Sequence, residues 1–300
     1  MSLINAASLG LSASPSFASD PSGALYAFGD SLSDAGNVFT LSLGKIPVSP
    51  PYSDGRFTNG AVWVQDLAAS LNLPAVTPSL RGGTDFAYGD AQTGTTPQHA
   101  GTAIDLPSQL AQFKFANHNP QADALYTLSI GSNDVLDSIS VFPTNPAAAM
   151  NNIAAAAANE TQFIVNLIGN GARNLAVLNV PDIGGTPRAR GSAPGTTQVA
   201  SYLSALYDQQ LNTALQPLTG FFNLHVVNAF ALLDGAIANP ALFGLTNVTD
   251  PVWTGNYTDP SSGTVRATGA AADSYLFFDS LHPTAHGHAV VSSFAQASLA

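Results

Sequence analysis

Ser31, Asn133, Asp279 and His282 are residue types that together could cleave an ester. A serine hydroxyl is a weak nucleophile until a base takes its proton; histidine is the usual base, kept in the right tautomer by a carboxylate. Ser31 stands in Gly29-Asp30-Ser31-Leu32-Ser33-Asp34, and Asp279-Ser280-Leu281-His282-Pro283 offers base and orienting acid on one turn. Pro283 suits a first helical position and not a helix interior, so a helix should follow that turn. Ester hydrolysis also needs donors aimed at the oxyanion of the tetrahedral intermediate. Gly131-Ser132-Asn133-Asp134 supplies the amide NH2 of Asn133, and Phe86-Ala87-Tyr88-Gly89-Asp90 supplies Gly89, whose lack of a side chain lets a backbone N–H approach closely. The backbone N–H of Ser31 would be a third donor.

Each residue also has an ordinary explanation. A serine in a Gly-Asp-Ser turn can simply hydrogen-bond its own backbone. His282, His286 and His288 invite a metal reading, since 282 and 286 could share a helical face. No acid sits at the spacing of a zinc-hydrolase helix motif, so His282 is better used as a base, no metal is expected, and His286 should face solvent with His288 hydrogen-bonded at the helix start. Asp30 and Asp134 are expected to fix their loops by accepting backbone N–H bonds. Trp63, Phe113 and Phe115 read as core or partial core. Asn247-Val248-Thr249 and Asn256-Tyr257-Thr258 fit the glycosylation pattern and mark surface loops.

The elements that must position these residues alternate between strand and helix, as in an α/β fold with a mostly parallel sheet. Apolar runs predict strands at 25–28, 124–130, 174–180, 224–228 and 275–278, with a weaker one at 85–88. Helical spacing and turn residues predict helices at 62–71, 107–116, 146–168, 197–215 and 284–299, the alanine-rich third one closed by Gly169-Asn170-Gly171. The candidate residues then fall at or just past strand ends, where open α/β sheets hold their ligands. Two long irregular stretches, 44–58 and 246–271, should cover the site or shape its rim.

Composition narrows the function. Three hundred residues allow a large core, and no apolar stretch approaches the ~20 residues that span a bilayer, so no stable membrane insertion is expected. With 9% charged residues and a net charge of −11, nucleic acid is an improbable partner, because phosphate backbones are held by basic side chains. There is no cysteine, which removes disulfides and thiolate chemistry. Residues 1–20 read as a flexible leader without a clear signal peptide, and 21–300 as one domain. Low charge with abundant Ala, Ser, Thr, Asn and Gly leans towards a secreted or extracytoplasmic protein.

Four blocks in order, Gly-Asp-Ser-Leu at 29–32, the glycine block at 86–90, Gly-Ser-Asn-Asp at 131–134 and Asp-Ser-Leu-His-Pro at 279–283, resemble the GDSL esterases and lipases of the SGNH hydrolases. The flanks Ser33-Asp34-Ala35-Gly36-Asn37, Gly55-Arg56-Phe57-Thr58-Asn59-Gly60 and Asn179-Val180-Pro181-Asp182 extend the likeness over nearly all the chain after residue 24. One departure is Asp90, where many relatives carry a second glycine. The resemblance implies a three-layer α/β/α sandwich of flavodoxin-like arrangement. It assigns Ser31 as nucleophile, His282 as base, Asp279 as orienter, and Ser31, Gly89 and Asn133 as the oxyanion hole. Asp30, Asp34 and Asp134 would support them, and no cofactor is required. Acyl esters, small or lipid, would be the substrates; a carbohydrate O-acetylesterase or a phospholipase could use the same centre. A non-catalytic binding module that kept the fold would be expected to have lost a member of the constellation.

Overall fold

The computed structural model describes residues 23–96, 99, 102–117 and 120–299, so the expected leader at 1–20 lies outside the described residues. Strands β1 (Leu25–Gly29), β2 (Leu125–Ser129), β3 (Asn174–Leu178) and β4 (Asn223–Val227) form a parallel sheet in that order. Side chains alternate between two cores, as a sheet buried on both faces requires. Tyr26, Phe28, Tyr126, Leu128, Leu175 and Val177 enter one core, while Leu25, Ala27, Leu125, Ala176 and Leu178 enter the other. The first core is covered by α3 (Leu106–Asn117), α4 (Ser132–Val141), α5 (Pro146–Gly169) and α7 (Thr196–Leu215); α2 (Trp63–Ser70) and α9 (Ala285–Leu299) cover the second. The three layers are those expected.

The predicted strand at 85–88 is not a regular strand but runs as a ragged parallel edge beside β1. Phe86 N donates to Ala27 O at 2.7 Å and Tyr88 N to Gly29 O at 3.1 Å. With this edge ranked second in the chain, the spatial order is 2-1-3-4-5. That is the flavodoxin-like order, in which the ligand site sits where the order reverses, next to β1. The pairs Gly29↔Ser129, Ser129↔Leu178 and Leu178↔Val227 leave all four carboxyl ends flush. Every loop that carries a candidate residue from the sheet therefore opens on one edge.

The alanine-rich run forms α5, capped where its sequence implies: Asn145 Oδ1 accepts from Ala148 N at 3.0 Å, and Pro146 takes the first helical position. Four α-helices among the described residues lie beyond those predicted from the sequence, the longer two being α4 directly after the Asn133 block and α8 (Ala229–Ala238), capped by Asn228 Oδ1 on Ala231 N at 2.9 Å. Short helices α1 (Asn37–Leu41) and α6 (Pro187–Arg190) add to the rim. The stretch 246–271 is not wholly irregular: β5 (Asn247–Pro251) pairs in parallel with β6 (Tyr275–Phe277), so the first glycosylation-like pattern falls on a strand. Phe115 is 89% exposed against 1% for Phe113, which corrects the reading of both as core. Two residues apart on a helix is about 200°, so they face opposite sides.

Candidate active site

Gly29 ends β1 with φ of 139°, and a Cβ there would collide with the Ser129 carbonyl. This sharp exit needs glycine. The chain then folds back at once: Asp30 Oδ1 accepts from Leu32 N at 3.0 Å, and Asp30 O accepts from Ser33 N and Asp34 N, each at 3.1 Å. Ser31 is carried on this turn beyond the flush edge of the sheet.

The base arrives from the far end of the chain. His282 lies on the turn between β6 and α9, held by Phe278 N donating to His282 O at 2.8 Å. Both long loops brace that turn. Trp253 N donates to Phe278 O at 2.6 Å, Thr58 Oγ1 to Pro283 O at 2.8 Å, and Ala285 N to Asn59 Oδ1 at 2.8 Å. Ser31 Oγ lies 2.8 Å from His282 Nε2, and His282 Nδ1 lies 2.7 Å from Asp279 Oδ2. All three residues are 9% exposed or less. A carboxylate at Nδ1 keeps the proton there and leaves Nε2 free to accept from the serine.

Asp279 also accepts from Leu281 N at 2.8 Å, His282 N at 2.7 Å and the Tyr52 hydroxyl at 2.6 Å. Burial raises the Asp279 carboxyl, but the His282 charge and these hydrogen bonds outweigh it and hold the group below its usual value. Phe57 covers the imidazole, ring centroids 5.4 Å apart. Tyr52 and Phe57 were not singled out from the sequence; both come from the irregular stretch 44–58, and only the flanking block around Phe57 pointed there.

The oxyanion donors need one correction. Asn133 Nδ2 donates to Ala91 O at 2.8 Å, which fixes the amide and leaves its second hydrogen available. The Ser31 N–H meets no acceptor among the described residues. The Gly89 N–H, expected as a donor, is instead held by Asp34 Oδ2 at 2.9 Å. Asp34 also accepts from Gly36 N, Asn37 N and Val38 N, so one carboxylate ties the serine turn to the glycine block. Glycine is needed at 89 because a Cβ would drive into the Phe57 ring. Asp90 takes φ of 69°, the left-handed backbone that explains a glycine in relatives and that aspartate tolerates.

Asp134 behaves as expected, accepting from Thr93 N at 3.1 Å and Thr93 Oγ1 at 2.8 Å. Among the described residues no cluster of three His, Cys, Asp or Glu side chains is placed to hold a metal ion. His286, expected in solvent, is half-buried with Nε2 2.7 Å from Phe243 O. His288 N donates to Thr284 O at 2.9 Å at the start of α9, and Nδ1 accepts from Trp63 N at 3.3 Å. Burial pushes the His288 imidazole down to about 3, so it stays neutral.

An unusual stock of buried acids surrounds the site. Burial raises Asp30 to about 7, with one oxygen unpartnered, Asp134 to about 6 and Asp208 to about 8. It raises Asp34 too, against four backbone N–H bonds. These groups bind protons more tightly folded than unfolded. The stability they contribute is complete below the unfolded value of 3.8 and is lost as pH rises through 6 to 8. His288 and His225, lowered by burial, act oppositely below 6.5. Four acids outweigh two histidines. The thermal midpoint should therefore rise, by roughly 5 °C, between pH 8 and pH 5. Calorimetry across this range tests this, and a midpoint that drops steadily from pH 8 to pH 5 would contradict it.

Space opens beside the catalytic residues. An apolar cavity of about 80 Å³ runs from Ser31 and His282 between α8 and α9, past Leu178, Ile183, Leu232 and Val290. His282 also borders a groove lined largely by polar residues, Tyr52, Arg188, Thr254, Asn256 and Tyr257 among them. A second polar groove passes Asn133, Asp90, Asp137 and Arg188.

Residues 25–294 match the family described as GDSL-like Lipase/Acylhydrolase. The chain is 30% identical to a phosphatidylcholine-sterol acyltransferase of Aeromonas hydrophila over 77% of this chain and 65% of that protein. It is 26% identical to a thermolabile hemolysin of Vibrio parahaemolyticus over 89% of this chain and 61% of that one. The chain thus spans less than two thirds of the length of these two curated relatives. A crystal structure of an extracellular lipase from Streptomyces rimosus aligns with 92% of this chain and 100% of its own, at 17% identity and a TM-score of 0.45.

Proposed function

This chain belongs to the GDSL-like lipase and acylhydrolase family, and from that premise we propose that residues 21–300 act as one hydrolase domain cleaving carboxylic esters through an acyl-enzyme on Ser31. The observation that carries the reading is the unbroken chain of short contacts from Asp279 through His282 to Ser31, at 2.7 and 2.8 Å. A non-catalytic module would be expected to lack one of these groups.

In the first half-reaction Ser31 Oγ attacks the carbonyl carbon while its proton passes to His282 Nε2. Asp279 stabilises the resulting imidazolium through Nδ1–H. The oxyanion is held by the Ser31 N–H and the second amide hydrogen of Asn133, and Gly89 serves by letting Phe57 pack rather than by donating. His282 protonates the departing alcohol. Water then enters, gives its proton to His282, attacks the acyl carbon, and Ser31 is regenerated. No cofactor enters this sequence. Asn133→Ala should lower kcat by about 10²–10³ with little change in KM, because the oxyanion exists only beyond the ground state. Steady-state kinetics on one activated ester checks it; a rise confined to KM would remove Asn133 from that role.

The apolar cavity supports placing the acyl chain between α8 and α9. An engineered apolar cavity of about 150 Å³ admits benzene, so the 80 Å³ here suits an acyl chain of only a few carbons. Across p-nitrophenyl esters, kcat/KM should climb about fourfold per added methylene from acetate, the worth of about 0.8 kcal/mol of burial each. It should level off once the cavity is full. A maximum at acetate would favour the O-acetylesterase alternative; a maximum at long chains would favour a lipase or phospholipase, the direction suggested by the name of the Aeromonas hydrophila relative. Low charge and the abundance of small polar residues support a secreted enzyme. No described helix is long and apolar enough to cross a membrane.

A further inference from the structure

Positive charge is scarce in this protein: eight Lys and Arg stand against nineteen Asp and Glu. Five of the six arginines have side-chain partners. Arg56 donates to Gln65, Arg81 to Thr40, Arg173 to the carbonyls of Ile168 and Ala172, and Arg190 to the Val248 carbonyl, while Arg266 pairs with Asp250. Arg188 is exposed, and its guanidinium bonds nothing among the described residues. A planar fork of five donors without an acceptor, in a chain of net charge −11, is an open receptor for an oxyacid.

Its position is tied to the catalytic turn. Arg188 N donates to Ser280 O at 2.8 Å, one residue from Asp279 and two from His282. Arg188 lines the groove that also holds Tyr257, Asn256 and His282, a space that meets the apolar cavity only at Leu281 and His282. The Tyr257 hydroxyl likewise bonds nothing among the described residues. Burial, Asp90 and Asp279 raise its pKa and the Arg188 charge opposes them, so the phenol and guanidinium lie within electrostatic reach. Asp279 borders the same groove, but it is 4% exposed and both its oxygens are occupied. The second groove beside Arg188 carries Asp90 and Asp137, which disfavour an anion there.

We propose that Arg188 and Tyr257 bind an anionic group, a phosphate or carboxylate, on the alcohol half of the ester, so that preferred substrates are short acyl esters of anionic alcohols. The proposal rests on reading Ser31 as the nucleophile and the apolar cavity as the acyl side, which leaves the polar groove for the alcohol that His282 protonates. Arginine recognises such groups by paired hydrogen bonds, and a charge-assisted bond of this kind is worth about ten- to a hundredfold in affinity.

The test compares three butyryl esters that differ only in the alcohol: glycerol, glycerol 3-phosphate and 3-hydroxypropanoate. For the wild type, kcat/KM should favour at least one anionic ester over the neutral one by about tenfold or more, and the larger ratio names the group held. Arg188→Gln should reduce that ratio by about tenfold, Arg188→Lys should retain part of it, and raising the salt should compress it. A wild-type ratio near one for both anions, or a ratio unmoved in Arg188→Gln, overturns the proposal. Failure of the nucleophile reading is separable. If Ser31→Ala still turns over, calorimetric binding of glycerol 3-phosphate to Ser31→Ala and to the Ser31→Ala, Arg188→Gln double variant decides the anion site alone. Weaker binding in the double variant supports it, and equal or absent binding in both overturns it.

Discussion

Ser31→Ala should reduce kcat by four to six orders of magnitude, with the fold intact. The serine oxygen makes a single side-chain contact, to His282 Nε2 at 2.8 Å, and removing it breaks nothing that holds the turn, whose hydrogen bonds run through the backbone and Asp30. The next hydroxyl along the turn cannot substitute. Ser33, two residues on, is fully buried with its oxygen accepting from Trp63 Nε1 at 3.1 Å. What remains should be slow attack by water in a site that still offers the oxyanion donors and the apolar cavity. A fluorophosphonate probe should label the wild type on Ser31 and fail to label the variant. Turnover within a hundredfold of wild type, from protein with an unchanged thermal midpoint, would sink the acyl-enzyme mechanism.

The second large effect belongs to Asp279. Asp279→Asn is nearly isosteric and should cost about 10⁴ in kcat, more than its distance from the ester would suggest. The carboxylate accepts four hydrogen bonds, two from backbone N–H groups through Oδ1 and two from His282 and Tyr52 through Oδ2. Asparagine keeps the oxygen facing the backbone and so keeps the turn, but places an NH2 against His282. The imidazole must then accept at Nδ1 and carry its proton on Nε2, where it can no longer take one from Ser31. Tyr52→Phe removes one donor and leaves the tautomer alone, so its loss should be nearer tenfold. Comparing the two by kcat separates orientation of the base from support of the acid. If both variants lose equally little, Asp279 does not control the tautomer.

Much of this site was legible because it is encoded in short motifs at strand ends. Ser31 and Asn133 needed only that strands 25–28 and 124–130 be read correctly, since the parallel sheet brings their following loops to one edge, whereas Asp279 and His282 follow a strand at 275–277 that pairs with β5 outside that sheet. Less was legible wherever a side chain's partner depends on approach from a distant loop. Tyr52 and Phe57 sit in a stretch with no periodicity, and their contacts with Asp279 and His282 span more than two hundred residues. The Gly89 donor failed for a similar reason: spacing places an N–H near the site but cannot say that Asp34 takes it first. Phe115 was a plainer oversight, since helical geometry alone separates it from Phe113. The helix α4 was hidden by Ser and β-branched residues in Ser132–Val141, which are indifferent helix formers that packing against α5 and α7 overrides.

The contact between Ser31 and His282 crosses 251 positions of sequence, and it has a consequence for the protein's life before it is finished. Ser31 leaves the ribosome 251 residues ahead of His282. At the usual pace of about 5–20 residues per second the interval is on the order of ten to fifty seconds. Throughout that time the nascent chain carries a nucleophile with no base, and the turn that holds the base has not met β5 or α2. A half-made chain therefore cannot attack the esters of the cell that is producing it.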